Sequence, residues 1–515
     1  MQRMVIAKLA VIFVLFSPLT QLHAQDKIRD LVVKIHAVHN APDVLRPWTN
    51  NGPQHVKGSG VVIAGKRILT NAHVVRYASQ IYVQPNQSAD RIPARVEAMT
   101  TSMDLAVLKL EDESFFDKRG SLPFAEELPR VKDTVNVYGY PTGGTELSVT
   151  QGIVSRIEFT EYYYQTSGLR IQVDAALNFG NSGGPAVTDG KLVGLVFSLI
   201  QNAHNIGYLI PVEEIQLFLA DIADGVYDGK PQMNDLIQTV ENEALRQKLK
   251  LPRGTNGVMV AEPYRNAPDY PLKEWDVITQ IGDSPIDNDG KVAVRYDLRL
   301  SSAYLVQKYA KGGLLPLTVF RDGHTVKIQL PVQNQREMVI PYLMANNPRY
   351  FILGPLVFSQ ATQDYLERLG SQRPASFGPG TSPLTTRRFD KPAFPGEELV
   401  VVASPMFPHR ITNGYDDANR AVLSEINGIQ VKNLRHVMEI IRDNKDPQIT
   451  LKFASSGVLT HETMVFRRDE LLAATNKILE ENGIRYPYST DLRSVWEAYL
   501  TVATKSAQLT CCGIR

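Results

Sequence analysis

From residue 57 to about residue 220 the chain runs as short β-branched or alternating stretches, each cut off by Gly, Asn or Pro. Examples are Gly60-Val-Val-Ile-Ala64, Leu105-Ala-Val-Leu-Lys-Leu110, Thr134-Val-Asn-Val-Tyr138, Gly152-Ile-Val-Ser-Arg-Ile157 and Leu192-Val-Gly-Leu-Val-Phe197. Many short strands at close spacing predict an antiparallel sandwich or a pair of barrels. The region closes at residues 212 to 220, where Val212, Ile215, Phe218 and Leu219 recur at helical spacing.

A fold of this kind must hold by packing alone here. The only cysteines, Cys511 and Cys512, are adjacent at the C-terminal end, which leaves no disulfide framework and predicts solvated thiols. At 515 residues the chain exceeds one hydrophobic core and predicts about three domains. Its 43% apolar and 21% charged residues are those of an ordinary globular protein, excluding general disorder or a collagen-like repeat. Lys and Arg number 55 against 54 Asp and Glu, so no overall charge argues for nucleic acid or an anionic membrane. No CxxC, HExxH or EF-hand pattern occurs, and no metal or cofactor is expected.

The ends and the second half add organisation. Residues 1–24 combine Arg3 and Lys8, the apolar run Leu9-Ala-Val-Ile-Phe-Val-Leu-Phe16 and Leu22-His23-Ala24, the layout of a secretory signal peptide, and predict a periplasmic or secreted protein. Past residue 229 a repeat emerges: Ile278-Thr-Gln-Ile281-Gly282-Asp283-Ser-Pro-Ile286-Asp-Asn288 matches Leu423-Ser-Glu-Ile426-Asn427-Gly428-Ile-Gln-Val431-Lys-Asn433 at an offset of 145 residues. Each copy reads as strand, tight turn and short strand; the later one continues into an amphipathic helix through Leu434, Val437, Ile440 and Ile441. Residues 371–396, with five prolines, read as a long exposed insertion, and a helix is expected from Leu471 to Asn482.

Three stretches carry chemistry together. Thr70-Asn71-Ala72-His73 follows a strand, Asp104 opens one, and Gly180-Asn181-Ser182-Gly183-Gly184-Pro185 forms a Gly-rich loop before another. Glycines let backbone N–H groups converge on the oxyanion formed when a Ser attacks a carbonyl. The Ser needs an imidazole to take its proton, and the imidazole needs a carboxylate to fix its tautomer. His73, Asp104 and Ser182 supply those types. The G-x-S-x-G pattern of an α/β-hydrolase elbow also fits Gly180, Ser182 and Gly184, but that fold requires a helix after the Ser and the His downstream of it, and here Gly-Pro and a strand follow.

With Gly58-Ser-Gly-Val-Val-Ile63, Asp104-Leu-Ala-Val-Leu108, Asp174-Ala-Ala-Leu-Asn178-Phe-Gly-Asn-Ser182-Gly-Gly-Pro185 and Asn205-Ile-Gly-Tyr-Leu-Ile-Pro211, the chain resembles the Deg/HtrA serine proteases over nearly all its mature length. Val294-Arg-Tyr-Asp-Leu-Arg299, Tyr304-Leu-Val-Gln-Lys308-Tyr and Asn413-Gly-Tyr415-Asp-Asp417 resemble most the plant-type members with two PDZ modules. The resemblance implies a mainly β protein: a chymotrypsin-like double β-barrel over 25–225, α+β PDZ domains over 228–335 and 336–475, and a tail over 476–515. It implies His73 as general base, Asp104 as orienting carboxylate, Ser182 as nucleophile, and an oxyanion hole from the Gly180 and Ser182 N–H groups with Asn181 between. Phe179 stands where the family commonly has Pro. Ala176, six residues before the nucleophile, would floor the primary specificity pocket and select small or medium aliphatic side chains. Glu161-Tyr-Tyr-Tyr164 lies where the family has a regulatory loop, and its aromatics are expected to pack in the loop or at a subunit contact.

PDZ modules capture peptide termini or internal segments by strand addition. Tyr350-Phe-Ile-Leu-Gly354-Pro-Leu-Val-Phe358 resembles such a groove, whereas Asn234-Asp-Leu-Ile237 lacks the usual glycine and Pro355 removes an N–H. The expectation is an ATP-independent endopeptidase acting on unfolded or misfolded polypeptides, assembled as a homo-trimer or multiples of trimers. The rival is a chaperone or scaffold that binds misfolded chains while its protease site rests.

Overall fold

The computed structural model describes residues 27–142, 144–162, 166–199, 206–372, 382–454 and 463–497. Residues 1–24, Cys511, Cys512, Tyr163 and Tyr164 lie outside them.

Six strands, β1 (Val32–His39), β2 (Gln54–Ile63), β3 (Arg67–Thr70), β4 (Ala78–Gln84), β5 (Ile92–Thr100) and β6 (Leu105–Leu110), close into a barrel in the order β1-β2-β3-β6-β5-β4. Six more, β7 (Thr134–Gly139), β8 (Ser148–Glu161), β9 (Ser167–Val173), β10 (Pro185–Thr188), β11 (Lys191–Leu199) and β12 (Gly207–Pro211), close a second in the order β10-β11-β12-β9-β8-β7. Closure removes the free edges that a run of short strands would otherwise expose. One core joins Ile35, Val61, Ile68 and Leu108 of the first barrel to Tyr138, Leu195 and Ile210 of the second and to Ile215 and Phe218 of the helix Val212–Asp221. Each such buried side chain contributes about 1.5–3 kcal/mol, which lets the barrels stand without a disulfide.

The repeat forms two hairpins. Ile281 pairs with Ser284 and Ile426 with Ile429, so each copy turns through two residues. Gly282, Asn427 and Gly428 take φ of 62°, 48° and 80°, the left-handed values tight hairpins demand. The first copy sits in a sheet running from Leu236–Thr239 to His324–Pro331; the second belongs to a four-stranded sheet beside a three-stranded one. The helix Leu434–Asp443 is capped by Asn433, whose side chain accepts the His436 N–H at 2.8 Å, and buries Leu434, Val437, Met438, Ile440 and Ile441.

Two sequence expectations need correction. The described part of the 371–396 insertion is not a free loop: Leu384 is buried, the Asp390 carbonyl accepts the Val339 N–H, and Arg387 pairs with Glu397 at 2.6 Å. One buried leucine, a backbone hydrogen bond to an upstream segment and an ion pair together hold it. Nor does the last domain end at 475: the helix Arg468–Glu481 runs through that point, and Ile484, Tyr488, Leu492 and Val495 fill the C-terminal cores.

Within that module the hairpin Tyr350–Leu353 and Leu356–Gln360 is already occupied. Leu356–Gln360 pairs on one side with Tyr350–Leu353 and on the other with Val400–Val402. The Gly354 N–H donates to Thr475 Oγ1 at 2.6 Å, and Leu471 fills the space above Gly354.

A buried ion pair ties the second barrel to the middle module. Lys230 Nζ lies 2.7 Å from Glu214 Oε2, with both side chains almost wholly buried. Glu214 also accepts from the Leu169 N–H at 2.9 Å and from Gln307 Nε2 at 3.1 Å, and Lys230 donates to the Ser167 carbonyl. Lys230→Met strands a buried carboxylate and is expected to cost about 3–5 kcal/mol. A melt should show the transition roughly 6–20 °C lower, largely recovered in Lys230→Met/Glu214→Leu.

Candidate active site

His73 lies in the short helix Ala72–Val75, directly after β3, and Asp104 immediately precedes β6, the strand paired with β3. That pairing brings residues 31 apart in sequence into contact. Asp104 Oδ1 accepts the His73 backbone N–H at 2.8 Å and Oδ2 faces His73 Nδ1 at 2.6 Å. The carboxylate side chain is 3% exposed and the imidazole 42%, so one ring edge is held in protein while the other reaches solvent.

Asp104 sits at φ 54°, a left-handed value that costs a non-glycine residue roughly 1–2 kcal/mol. Asn71, fully buried, offsets part of this by donating from Nδ2 to the Asp104 carbonyl at 3.0 Å rather than capping the helix. Behind the helix, His39 Nε2 donates to the Val74 carbonyl at 2.8 Å, and burial holds that imidazole below its usual pKa.

Ser182 is carried by the loop between β9 and β10. The Ser59 N–H donates to the Ser182 carbonyl at 2.8 Å. Ser59 Oγ donates to the Gly180 carbonyl at 2.8 Å and accepts the Tyr140 N–H at 2.9 Å, while Thr70 Oγ1 donates to the Ser59 carbonyl. One buried residue of the first barrel thus clamps the Ser182 loop against both barrels, and Thr70, which holds that residue, lies three positions upstream of His73. Gly183 is required: at φ 82° an added Cβ would lie 2.2 Å from the Ser59 carbonyl oxygen. Among the described residues no hydrogen bond joins Ser182 Oγ to the imidazole, a contact that commonly tightens only when substrate is seated.

The backbone before Ser182 is set by its neighbours. The Phe179 carbonyl accepts the Thr142 N–H at 2.6 Å. Because every described peptide is trans, the Gly180 N–H points away from that contact. Among the described residues neither the Gly180 nor the Ser182 N–H has an acceptor. Phe179 itself is 65% exposed. These two amides flank the buried Asn181.

Ala176 is exposed on the same loop, and the segment 200–205 that follows β11 lies outside the described residues. Tyr162 packs in the protein interior beside Phe197 at 5.2 Å, with the Arg170 guanidinium 4.5 Å from its ring. The roles of Ser59, Thr70 and Asn71 escape sequence reasoning. Their one signal is a polar side chain inside an apolar run beside His73 or the first Gly-Ser-Gly. Ser59→Ala orphans the Gly180 carbonyl and the Tyr140 N–H, and is expected to lower kcat about 10- to 100-fold with KM little changed. Peptide-substrate kinetics check this.

A trypsin-like peptidase domain model matches residues 58–195 and a PDZ domain model matches 339–491. Protease Do-like 2, chloroplastic, of Arabidopsis thaliana is 34% identical over 469 residues, covering 90% of this chain and 75% of the relative. The chain belongs to the Deg/HtrA family of serine proteases. Protease Do-like 4, mitochondrial, of the same plant is 33% identical over 472 residues, covering 91% of this chain and 86% of that one. Among solved structures, HtrA-type protease AlgW with tripeptide aligns at 24% identity and TM-score 0.48, over 61% of this chain and 96% of that chain. This Deg/HtrA protein is a serine endopeptidase: a chymotrypsin-like double barrel followed by a C-terminal PDZ domain.

Proposed function

We propose that this protease is an exported, ATP-independent endopeptidase that degrades unfolded or damaged proteins in the cell envelope through an acyl-enzyme. The two-point grip of Asp104 on His73 carries this reading. With Nδ1–H donated to the carboxylate, Nε2 is left as the base. It takes the Ser182 hydroxyl proton as Oγ attacks the peptide carbonyl, and the Gly180 and Ser182 N–H groups receive the oxyanion. The imidazolium returns its proton to the leaving amine. Water then attacks the acyl-enzyme with His73 as base again, releasing the second fragment and restoring Ser182. Ala176, six residues before Ser182 at the position the family resemblance assigns to the primary pocket, supplies no charge, which favours small or medium aliphatic residues there.

Periplasmic or secreted placement rests on the basic and apolar pattern of residues 1–24, and assembly as a trimer or a multiple of trimers on the family resemblance. The middle module fits a PDZ that binds peptides: Leu236–Thr239 pairs on one edge with Val258–Glu262, beside a groove of about 380 Å³ lined by Met233, Ile237, Val258 and Val306. A segment can join its other edge by strand addition. The C-terminal PDZ domain, with both edges of Leu356–Gln360 paired, is assigned to packing rather than to capture through that strand. Incubation with denatured casein tests the reading: cleavage into acid-soluble peptides without added nucleotide is expected. Suppressed aggregation with no cleavage at any temperature would favour the chaperone or scaffold instead.

A further inference from the structure

A cleft of about 440 Å³ opens beside the catalytic pair. Its protease side includes His73, Thr101, Asp104 and Glu161, and its opposite side Tyr342 and Glu367. The last two belong to the C-terminal PDZ domain, so that domain reaches the rim of the active site.

The placement is firmly built. Tyr77 Oη donates to the Asn346 carbonyl at 3.2 Å, and Thr101 Oγ1 donates to Met344 Sδ at 3.6 Å. Leu45 and Trp48 of the barrel domain pack on the cluster holding Val339, Ile340, Tyr365 and Leu366, and Trp48 meets Phe407 at 5.4 Å. Tyr77, Met344 and Ala345 all take left-handed φ, at 58°, 49° and 70°. Such backbone persists only where its surroundings over-determine it, and here it lies at the contact between the two domains.

Glu367 is aimed by its own helix, Gln363–Gln372. Gln363, fully buried, donates from Nε2 to the Ile340 and Arg388 carbonyls, and Asp364 Oδ2 accepts the Leu343 N–H. One turn later, at i+4, Glu367 shares the face of Gln363. Among the described residues neither Glu367 nor Glu161 has an ion-pair partner, Asp104 is spent on His73, and Arg76 is the cation lining the cleft. Burial first, then Asp364, pushes the Glu367 carboxyl above its usual range, with Arg388 and Arg76 opposing. A cation added beside Glu367, whose side chain is open to solvent, would oppose that shift.

We propose that Glu367 and Tyr342, facing Glu161, form a specificity subsite for a basic side chain within three residues of the scissile bond. The PDZ domain thereby joins in substrate choice as a wall of the cleft. This rests on the assignment of His73, Asp104 and Ser182 as the catalytic triad.

The test digests a proteome-derived peptide library with the full-length protein and sequences the cut termini, normalised to active sites labelled by a fluorophosphonate probe. Wild type, and the control Glu480→Lys on an outer helix face, should enrich Lys and Arg roughly tenfold at one position in that window. Glu367→Lys should lose the enrichment and favour Asp or Glu there, and Glu367→Gln, the milder change, should reduce it several-fold. An unchanged profile in Glu367→Lys and Glu367→Gln, or no basic enrichment in the wild type, with residue 182 labelled, overturns the subsite alone. Absence of label at Ser182 overturns the triad and the subsite with it.

Discussion

Replacing Ser182 by Ala is expected to lower kcat on the order of 10⁶-fold and leave the melting temperature within about 2 °C. The asymmetry follows from what each part of the residue does. Its carbonyl is held by the Ser59 N–H, an interaction the substitution keeps, whereas its Oγ joins no hydrogen bond among the described residues. Loss of the hydroxyl therefore removes the acyl-enzyme route without opening the loop. What survives should be the roughly 10³- to 10⁴-fold advantage over water that oxyanion donors and binding provide alone. Casein turnover beside a thermal melt reads both quantities; activity above a few per cent of wild type would place the nucleophile elsewhere.

Asp104→Asn should cost about 10⁴-fold in kcat, for a reason the geometry makes specific. One carboxylate oxygen accepts the His73 backbone N–H and the other faces Nδ1. The backbone N–H can only donate, so the single oxygen of an Asn must turn toward it. The amide NH₂ is then left facing Nδ1. That nitrogen must become an acceptor, the ring proton moves to Nε2, and the imidazole can no longer take the Ser182 proton. Overall volume and hydrogen-bond count are unchanged, so KM should stay within a few-fold. A variant retaining more than about one-tenth of wild-type kcat would show that the pair does not set the tautomer.

How far the sequence reaches depends on the range of the interaction. The strand Leu105–Leu110 is legible to its ends because its signal is a local apolar run. Ser148–Glu161 is longer than its apolar part, Gly152 to Ile157, because pairing with β7 and β9 carries exposed residues along. His73, Asp104 and Ser182 stand out through local motifs, but the clamp that holds the Ser182 loop joins Ser59 to Gly180, 121 residues apart, and one serine in an apolar strand does not announce such a partner. The end of the last domain fails for the same reason. Tyr488 forms a bridge to Phe351, so the residues after the helix Arg468–Glu481 look unpatterned while completing a sheet far upstream. The wall of the cleft, Tyr342 and Glu367, is likewise set by domain packing and leaves no local trace.

The most direct test of the account is covalent. A fluorophosphonate probe added to the purified full-length protein should give one adduct, mapped by peptide mass spectrometry to Ser182, absent in Ser182→Ala and formed far more slowly in Asp104→Asn. Labelling that persists in Ser182→Ala, or a wild-type protein that cleaves casein with no adduct at that residue, would contradict it.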